Sequence, residues 1–366
     1  MDKKKILLFT GGGDCPGLNA VIRAITKAAI TDGEYEVWGS IEAFNGVLSE
    51  PINIIKLDRA TTAGIHVLGG TIIKTTNKGN PLEYPIQEKD GHWVKTDVSQ
   101  KMISKIHDLG FVAAINIGGD GSQKISLGLQ RGGLNIVGVP KTIDNDLSAT
   151  DYTFGFNTAV QIASESFDKL VTTAASHSRV MIMEVMGRDA GWIALHTAIS
   201  GGAEVCLIPE IPFDFDIVLK EIEKRYEHGE EFVNIVVAEG AKPKSGEVIG
   251  ESSKDAGDEH FKYGGVANFI RMKLEKMGCS AQIRTSVLGH IQRGGTPIAF
   301  DRILATSMGV KAFEMVKKGE FGKMVALKNN RLEAVPLEEA TAIYSTVSTD
   351  NYLLGTAKAM GMSFGD

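Results

Sequence analysis

The sequence has few cysteines, no long apolar run and no excess of positive charge, and each shortage removes a class of function. Three cysteines among 366 residues (Cys15, Cys206 and Cys279) are odd in number and far apart. That fits a reduced compartment and argues against a disulfide-stapled scaffold. There is no CxxC and no Cys/His cluster, so no zinc site is expected. No run of about 18 apolar residues occurs, so no membrane-spanning helix is expected. The basic start, Lys3-Lys4-Lys5, leads only into Ile6–Phe9 before Thr10 and a run of glycines. That is too short for the core of a signal peptide and reads as a strand. A net charge of −6 argues against a nucleic-acid surface. It leaves anionic substrates open, because a local cluster of Arg and Lys works inside an acidic protein. A cytoplasmic protein with no nucleic-acid or membrane partner is expected.

Glycine, by contrast, is abundant: 42 residues, well above the usual share of about 7%, which implies tight turns and close backbone approaches. The length predicts two domains. Short runs rich in Val and Ile alternate with helical patterns. Strands are expected at 5–10, 111–117, 135–139, 179–185, 205–208, 232–238 and 282–288. Helices are expected at 18–31, from about 122, and at 157–175, 216–227, 259–277 and 302–318. Such alternation predicts α/β architecture with mainly parallel sheets covered by helices on both faces. Residues 75–99 read as a loop with a small hairpin, and Lys242 to Asp258, rich in Gly, Ser, Lys and Glu, as a mobile surface loop.

Three glycine or acidic loops fall where strands end: Thr10-Gly11-Gly12-Gly13-Asp14-Cys15-Pro16-Gly17, Gly118-Gly119-Asp120-Gly121-Ser122, and Pro140-Lys141-Thr142-Ile143-Asp144-Asn145-Asp146. In doubly wound sheets, ligands bind outside the carboxyl ends of the strands. Glycines there let backbone N–H groups approach phosphate oxygens. None is a Walker A or GxGxxG motif, and one such turn alone is more often a bare turn. Asp144 and Asp146 are two apart, so an extended loop would point them the same way. They read as a base for a hydroxyl plus a partner near a metal, with Lys141 and Thr142 beside them. Arg179, Arg188, Arg284, His290 and Arg293 fall at predicted strand ends or turns and suit a phosphate monoester.

In that order, TGGGDCPGLNAVIR, NIGGDGS, PKTIDND, TDYTFGFNTA, EVMGRDAGWIA and VLGHIQRGGTP make the sequence resemble the 6-phosphofructokinases over nearly the whole chain. The resemblance implies two similar-sized three-layer α/β domains with the active site in the cleft between them. One, binding ATP and Mg²⁺, would take 1–155 and about 292–342; the other, binding fructose 6-phosphate, would take 156–291 and about 343–366. It implies a homotetramer that converts fructose 6-phosphate to fructose 1,6-bisphosphate. Gly12 would lie near the transferred phosphate, with Gly119, Gly121 and Ser122 around the nucleotide phosphates and Asp120 by the metal. Asp144 would be the base for the 1-hydroxyl, with Thr142 positioning the sugar, Ile143 beside them and Asp146 on the metal side. Arg188 would stabilise transition-state charge. Met186, Gly187 and Glu239 would line the sugar pocket. His290, Ile291, Gln292 and Arg293 would hold the 6-phosphate end, with Arg179 and Arg284 arriving from a neighbouring subunit.

Two positions bear on the phosphoryl donor. Gly121 leaves room for a nucleotide α-phosphate where pyrophosphate-dependent relatives have Asp, which favours ATP. Lys141 matches those relatives, which favours pyrophosphate. An obstruction is harder to circumvent than an added cation, so ATP is expected and a pyrophosphate-dependent phosphotransferase is the alternative. Lys78 is the candidate for a nucleotide-contacting arginine of the better-known bacterial enzymes. Arg23, Lys27 and Arg59 match one side of the family's effector site. His228-Gly229-Glu230-Glu231 stands where a lysine pair is expected, and carboxylates there would repel a phosphate, so activation by ADP is expected to be weak or absent. Trp93 and Trp192 read as packing residues, His177 as a helix C-terminal residue and Cys15 as a small packing residue.

Overall fold

The computed structural model describes residues 3–229, 232–255 and 258–366. In chain order the strands are β1 (Lys4–Gly11), β2 (Tyr35–Ser40), β3 (Ile54–Leu57), β4 (Tyr84–Gln87), β5 (Trp93–Thr96), β6 (Phe111–Gly118), β7 (Ile136–Thr142), β8 (Phe154–Gly155), β9 (Arg179–Val185), β10 (Val205–Leu207), β11 (Val233–Ala238), β12 (Gly250–Asp255), β13 (Asp258–Tyr263), β14 (Gln282–Val287), β15 (Lys323–Lys328) and β16 (Arg331–Pro336). The helices are α1 (Leu18–Asp32), α2 (Asn45–Leu48), α3 (Ser99–Asp108), α4 (Asp120–Arg131), α5 (Phe156–His177), α6 (Trp192–Gly201), α7 (Phe215–Glu227), α8 (Val266–Lys276), α9 (Ala299–Lys318), α10 (Leu337–Ala340) and α11 (Tyr352–Ala359). The chain divides into two compact units, Met1–Asn157 with Arg293–Tyr344, and Thr158–Gln292 with Ser345–Asp366.

The first unit is built on one sheet in the order β16-β15-β7-β6-β1-β2-β3, with β8 beside β7. The central pairs are parallel, while β3 and β16 add antiparallel edges. Ile6 to Phe9 are all fully buried, the mark of a strand covered on both faces. Leu7 and Phe9 pack with Met102, Ile103 and Ile106 of α3 and Leu129 of α4. On the other face α1 and α9 lie side by side over β2 and β7.

The second unit has a four-stranded, all-parallel sheet in the order β10-β11-β9-β14. Val180, Ile182, Ile235 and Val237 on one face meet Val218 and Ile222 of α7 and Ile270 and Leu274 of α8. Met181, Met183 and Val236 on the opposite face are buried too, and α6 packs on β10 and β11. Each fully buried aliphatic side chain of this kind contributes about 1.5–3 kcal/mol. Among the described residues no helix is long and apolar enough to cross a membrane.

The helix expected from residue 259 begins only at Val266, because 258–263 pair with 250–255 as an antiparallel hairpin. The expected loop Lys242 to Asp258 therefore contains a strand. Its residues Ala256 and Gly257, like Glu230 and Glu231 of the effector-site expectation, lie outside the described residues. The small hairpin expected in 75–99 is β4–β5, where Trp93 is 44% exposed rather than packed. Strands β2, β3, β15 and β16 and helices α3 and α6 were not anticipated.

Candidate active site

In the first unit three parallel strands are in register at their carboxyl ends: Gly11 with Gly118, and Gly118 with Pro140, beyond which β7 runs on for two residues beside β8. The three motif loops therefore leave the sheet side by side. Helix α4 starts at Asp120, and Asp120 Oδ2 lies 2.8 Å from Lys124 Nζ one turn on. An acidic first residue suits the positive end of a helix. Ser122 tucks under the strand ends, where a Cβ on Gly118 would lie 2.2 Å from the Ser122 Cβ. Only glycine permits that approach. Asn116 Nδ2 donates to Ser122 O (2.9 Å) and Ser126 Oγ (2.7 Å). Fully buried Gln123 donates through Nε2 to Gly118 O and Val139 O, both at 3.0 Å, tying the ends of β6 and β7 together.

The first loop is held from both sides. Gly12 N donates to Thr76 O (3.0 Å), and Thr75 Oγ1 to Gly12 O (2.6 Å). Lys141 Nζ donates to Gly13 O (2.5 Å), and Arg293 Nη1 to Asp14 O (3.2 Å). Burial of Lys141 lowers its proton affinity; Arg293 lowers it further, while Asp144 and Asp146 raise it. Lys78, exposed, is held at its backbone N by Thr76 Oγ1 (3.0 Å). Cys15 is buried with its thiol pushed up by desolvation, donating weakly to Phe154 O (3.5 Å), as a packing residue should.

The third loop corrects one expectation. Asn145 has φ 52°, so the chain is not extended between Asp144 and Asp146 and a two-residue period does not orient them. Both carboxylates are nonetheless buried, at 3% exposure. Asp144 N donates to Thr142 Oγ1 (3.1 Å), whose hydroxyl lies 3.3 Å from Asp144 Oδ2. Thr153 fixes the turn: its N donates to Asn145 Oδ1 (2.9 Å) and its Oγ1 to Thr142 O (2.8 Å). The side chain of Ile143 is wholly buried and is not offered to a ligand.

In the second unit, β9 runs into Met186-Gly187-Arg188. Arg188 is exposed and stands at φ 52°, which is costly for a residue with a Cβ. Glu239 Oε1 accepts from Arg188 N (3.0 Å) and Gly187 N (3.3 Å). A Cβ on Gly240 would lie 2.0 Å from Arg188 O, so the turn rests directly on backbone. Fully buried Gln292 accepts from Met186 N through Oε1 (2.8 Å); it braces the turn rather than facing solvent, whereas His290 and Ile291 are exposed. Asp189 Oδ1 accepts from Tyr263 Oη (2.6 Å) and lies 3.8 Å from Lys242 Nζ. Glu210 Oε1 accepts from Gly191 N (2.9 Å) and Val347 N (2.7 Å). Glu184 accepts from Gly265 N (3.0 Å) and Ala267 N (2.9 Å) at the start of α8.

Arg179 and Arg284 sit elsewhere in the same sheet. Arg179 opens β9 and donates through Nε to Gln282 Oε1 (2.5 Å). Arg284 lies inside β14, opposite Met181, not at a strand end as expected. Gln123, Thr153, Glu184, Glu210 and Tyr263 were missed, since each acts on a partner distant in sequence. Of the proposed effector residues, Arg23 and Lys27 lie near His66, whose proton affinity falls through burial and then through Arg23, Arg302 and Lys27.

A family profile described as phosphofructokinase matches residues 5–316. The chain is 47% identical to the ATP-dependent 6-phosphofructokinase 2 of Clostridium perfringens, over 99% of both chains. It is 42% identical to the pyrophosphate–fructose 6-phosphate 1-phosphotransferase of Streptomyces coelicolor, over 99% of this chain and all of that one. Among solved structures it is similar to Pichia pastoris phosphofructokinase in the T-state, with a TM-score of 0.78 and 29% identity over 99% of this chain and 37% of that longer one. With its strand-end loops in that arrangement, the chain belongs to the phosphofructokinase family.

Proposed function

We propose that this enzyme transfers the terminal phosphoryl group of ATP, as its magnesium complex, to the 1-hydroxyl of fructose 6-phosphate. The observation that carries the proposal is the shared register of β1, β6 and β7 at their carboxyl ends, which puts Gly12, Asp120 and Asp144 in three adjacent loops, with Lys141 of β7 buried against the first. Phosphoryl transfer needs little covalent help and much positioning and charge stabilisation. Asp144 takes the hydroxyl proton, Thr142 orients the acceptor, Gly12 and the start of α4 meet the phosphates, and Arg188 meets the charge that develops in transfer. Glu239, Met186 and Gly187 line the sugar site; His290 and Arg293 bind its 6-phosphate.

Among the described residues no group of three or more His, Cys, Asp or Glu could hold a metal by itself. That fits magnesium, which binds through one or two carboxylates and the substrate's phosphates. Asp120 would hold it, and the ion would neutralise charge on the phosphates.

The donor proposal rests on Gly121, where an added Cβ would meet no protein atom within 4 Å, leaving room for a nucleotide. Lys141, buried against the Gly12-Gly13 loop, supports pyrophosphate as the second reading. Product formation from fructose 6-phosphate and Mg²⁺ with each donor decides between them. Turnover with ATP alone supports the proposal, and turnover with pyrophosphate alone overturns the donor assignment.

We also propose an oligomer, the homotetramer that the family resemblance implies. Arg179 and Val185 bound a seven-residue strand, about 20 Å long at about 3.3 Å per residue. Arg179 therefore cannot meet the phosphate that His290 and Arg293 bind in its own chain, and with Arg284 it would serve a neighbour's. Mixing inactive Arg179→Ala and Asp144→Asn chains should restore part of the activity. Mixtures that exchange subunits yet stay inactive would refute the shared site.

A further inference from the structure

The turn that presents Arg188 is tied to a part of the chain with no role in the reaction described so far. The hairpin β12–β13 follows the Glu239-Gly240 corner of the second unit and ends at Tyr263. Both of its stems reach the same carboxylate: Lys242 on the way out, 3.8 Å from Asp189 Oδ1, and Tyr263 on the way back, with its hydroxyl 2.6 Å from that oxygen. Asp189 is the residue next to Arg188. Just beyond Tyr263, Glu184 of β9 pins Gly265 N and Ala267 N. The returning stem is thus anchored to the same strand that carries the Arg188 turn.

We infer that Tyr263 and Asp189 form a latch that positions the Arg188 turn, so that the stem of the hairpin helps to set where the arginine stands. A non-glycine residue at φ 52° persists only when its surroundings over-determine it. Glu239 restrains the turn at the N–H groups of Gly187 and Arg188; Asp189 restrains it on the far side. The two contacts to Asp189 are not equal. The Lys242 pair is long, and Asp189 is 52% exposed, so its Coulomb gain is largely screened. The Tyr263 contact is a short, charge-assisted hydrogen bond. Burial and then Asp189 push the phenol up to about 12, so it stays a donor throughout the neutral range.

This inference rests on the proposed role of Arg188, and the test separates the two. The probe is steady-state kinetics of the full chain with fructose 6-phosphate and whichever donor supports turnover. Tyr263→Phe keeps the ring and removes the donor. It should lower kcat about tenfold, the scale of a small misplacement of a catalytic group, with KM for both substrates within about twofold. Asp189→Asn, which keeps an acceptor but loses the charge, should lower kcat by about threefold in the same kcat-only manner. In an Arg188→Ala background, Tyr263→Phe should cost less than about twofold, because the group it positions is gone. A parental kcat for folded Tyr263→Phe, or a tenfold loss that persists without Arg188, overturns the latch. Should Tyr263→Phe fail to fold, Asp189→Asn carries the same decision. A parental kcat for Arg188→Ala alone would instead remove the premise about the arginine.

Discussion

The two units secure their loops with opposite chemistry. In the first, cations grip carbonyls: Lys141 takes Gly13 O and Arg293 takes Asp14 O. Those carbonyl oxygens are thereby engaged, as Gly12 N is by Thr76 O, and the start of α4 is left to attract an anion. In the second, carboxylates absorb N–H groups: Glu239 at Gly187 and Arg188, Glu210 at Gly191, Glu184 at Gly265 and Ala267. With its backbone donors engaged, that turn presents a side-chain cation, Arg188. On the proposed roles, one unit would offer phosphate a helix start and the other an arginine, and each engages backbone groups of its loop in doing so.

The largest effect should come from the first unit. Asp144→Asn keeps the volume and the Thr142 contacts but cannot accept a proton; kcat should fall about 10³-fold, the range of a lost general base, with KM for fructose 6-phosphate little changed. A loss below tenfold in a stopped product assay would assign the proton elsewhere. Next, Gly121→Asp places a carboxylate where nucleotide phosphate would lie. It should cut kcat/KM for ATP about 100-fold, near 2.7 kcal/mol, and move the ratio of pyrophosphate to ATP turnover upward, without lowering the melting temperature. An unaltered ratio would show that the cradle does not read its donor at this position. Gln123→Met removes the amide that joins β6 to β7, with its hydrogen bonds to Gly118 O and Val139 O. About 2 kcal/mol of stability should go, together with about tenfold in kcat, read by urea unfolding and kinetics; equal stability would mean the strand ends need no tie.

The smallest effect sharpens the other side of the comparison. Burial raises the Glu210 carboxyl above its usual 4.5, although the N–H groups of Gly191 and Val347 pull it down. A raised value means the folded state takes up a proton more readily than the unfolded one. That contribution to stability is complete below about pH 4.5 and is lost as pH rises through the folded value. Glu210→Gln should therefore melt with the parent at low pH and a few degrees above it at pH 8. A difference that does not grow with pH would show that the carboxylate is fully compensated by its two donors.

Much of the frame was legible because its strands are buried on both faces and read as unbroken apolar runs, as Ile6–Phe9 and Val180–Met183 do. What escaped lacks that mark. Helix α6 is apolar nearly all round and shows no helical period. The turn between β15 and β16 did carry a signal: Asn329 and Asn330 stand at φ 50° and 60°, the left-handed pair a tight hairpin needs. Of the hairpin β12–β13, the first strand was taken for a loop and the second for the start of a helix. At the site, the motif loops were visible but their braces were not. Gln123, Thr153 and Tyr263 act across the fold, and no spacing in the chain announces such a partner. The orientation of Asp144 and Asp146 failed for a local reason, since a left-handed Asn145 interrupts the alternation that an extended loop would have had.

The open space beside Gly121 has an evolutionary consequence. A Cβ there meets no atom beyond its own helix and chain neighbours within 4 Å, so the first atom of an aspartate side chain is accommodated without a compensating change in the core. Codons for the two residues can differ by a single base. On the proposed donor role of Gly121, donor preference would be separated from folding and could drift along a lineage in either direction without passing through an unstable ancestor.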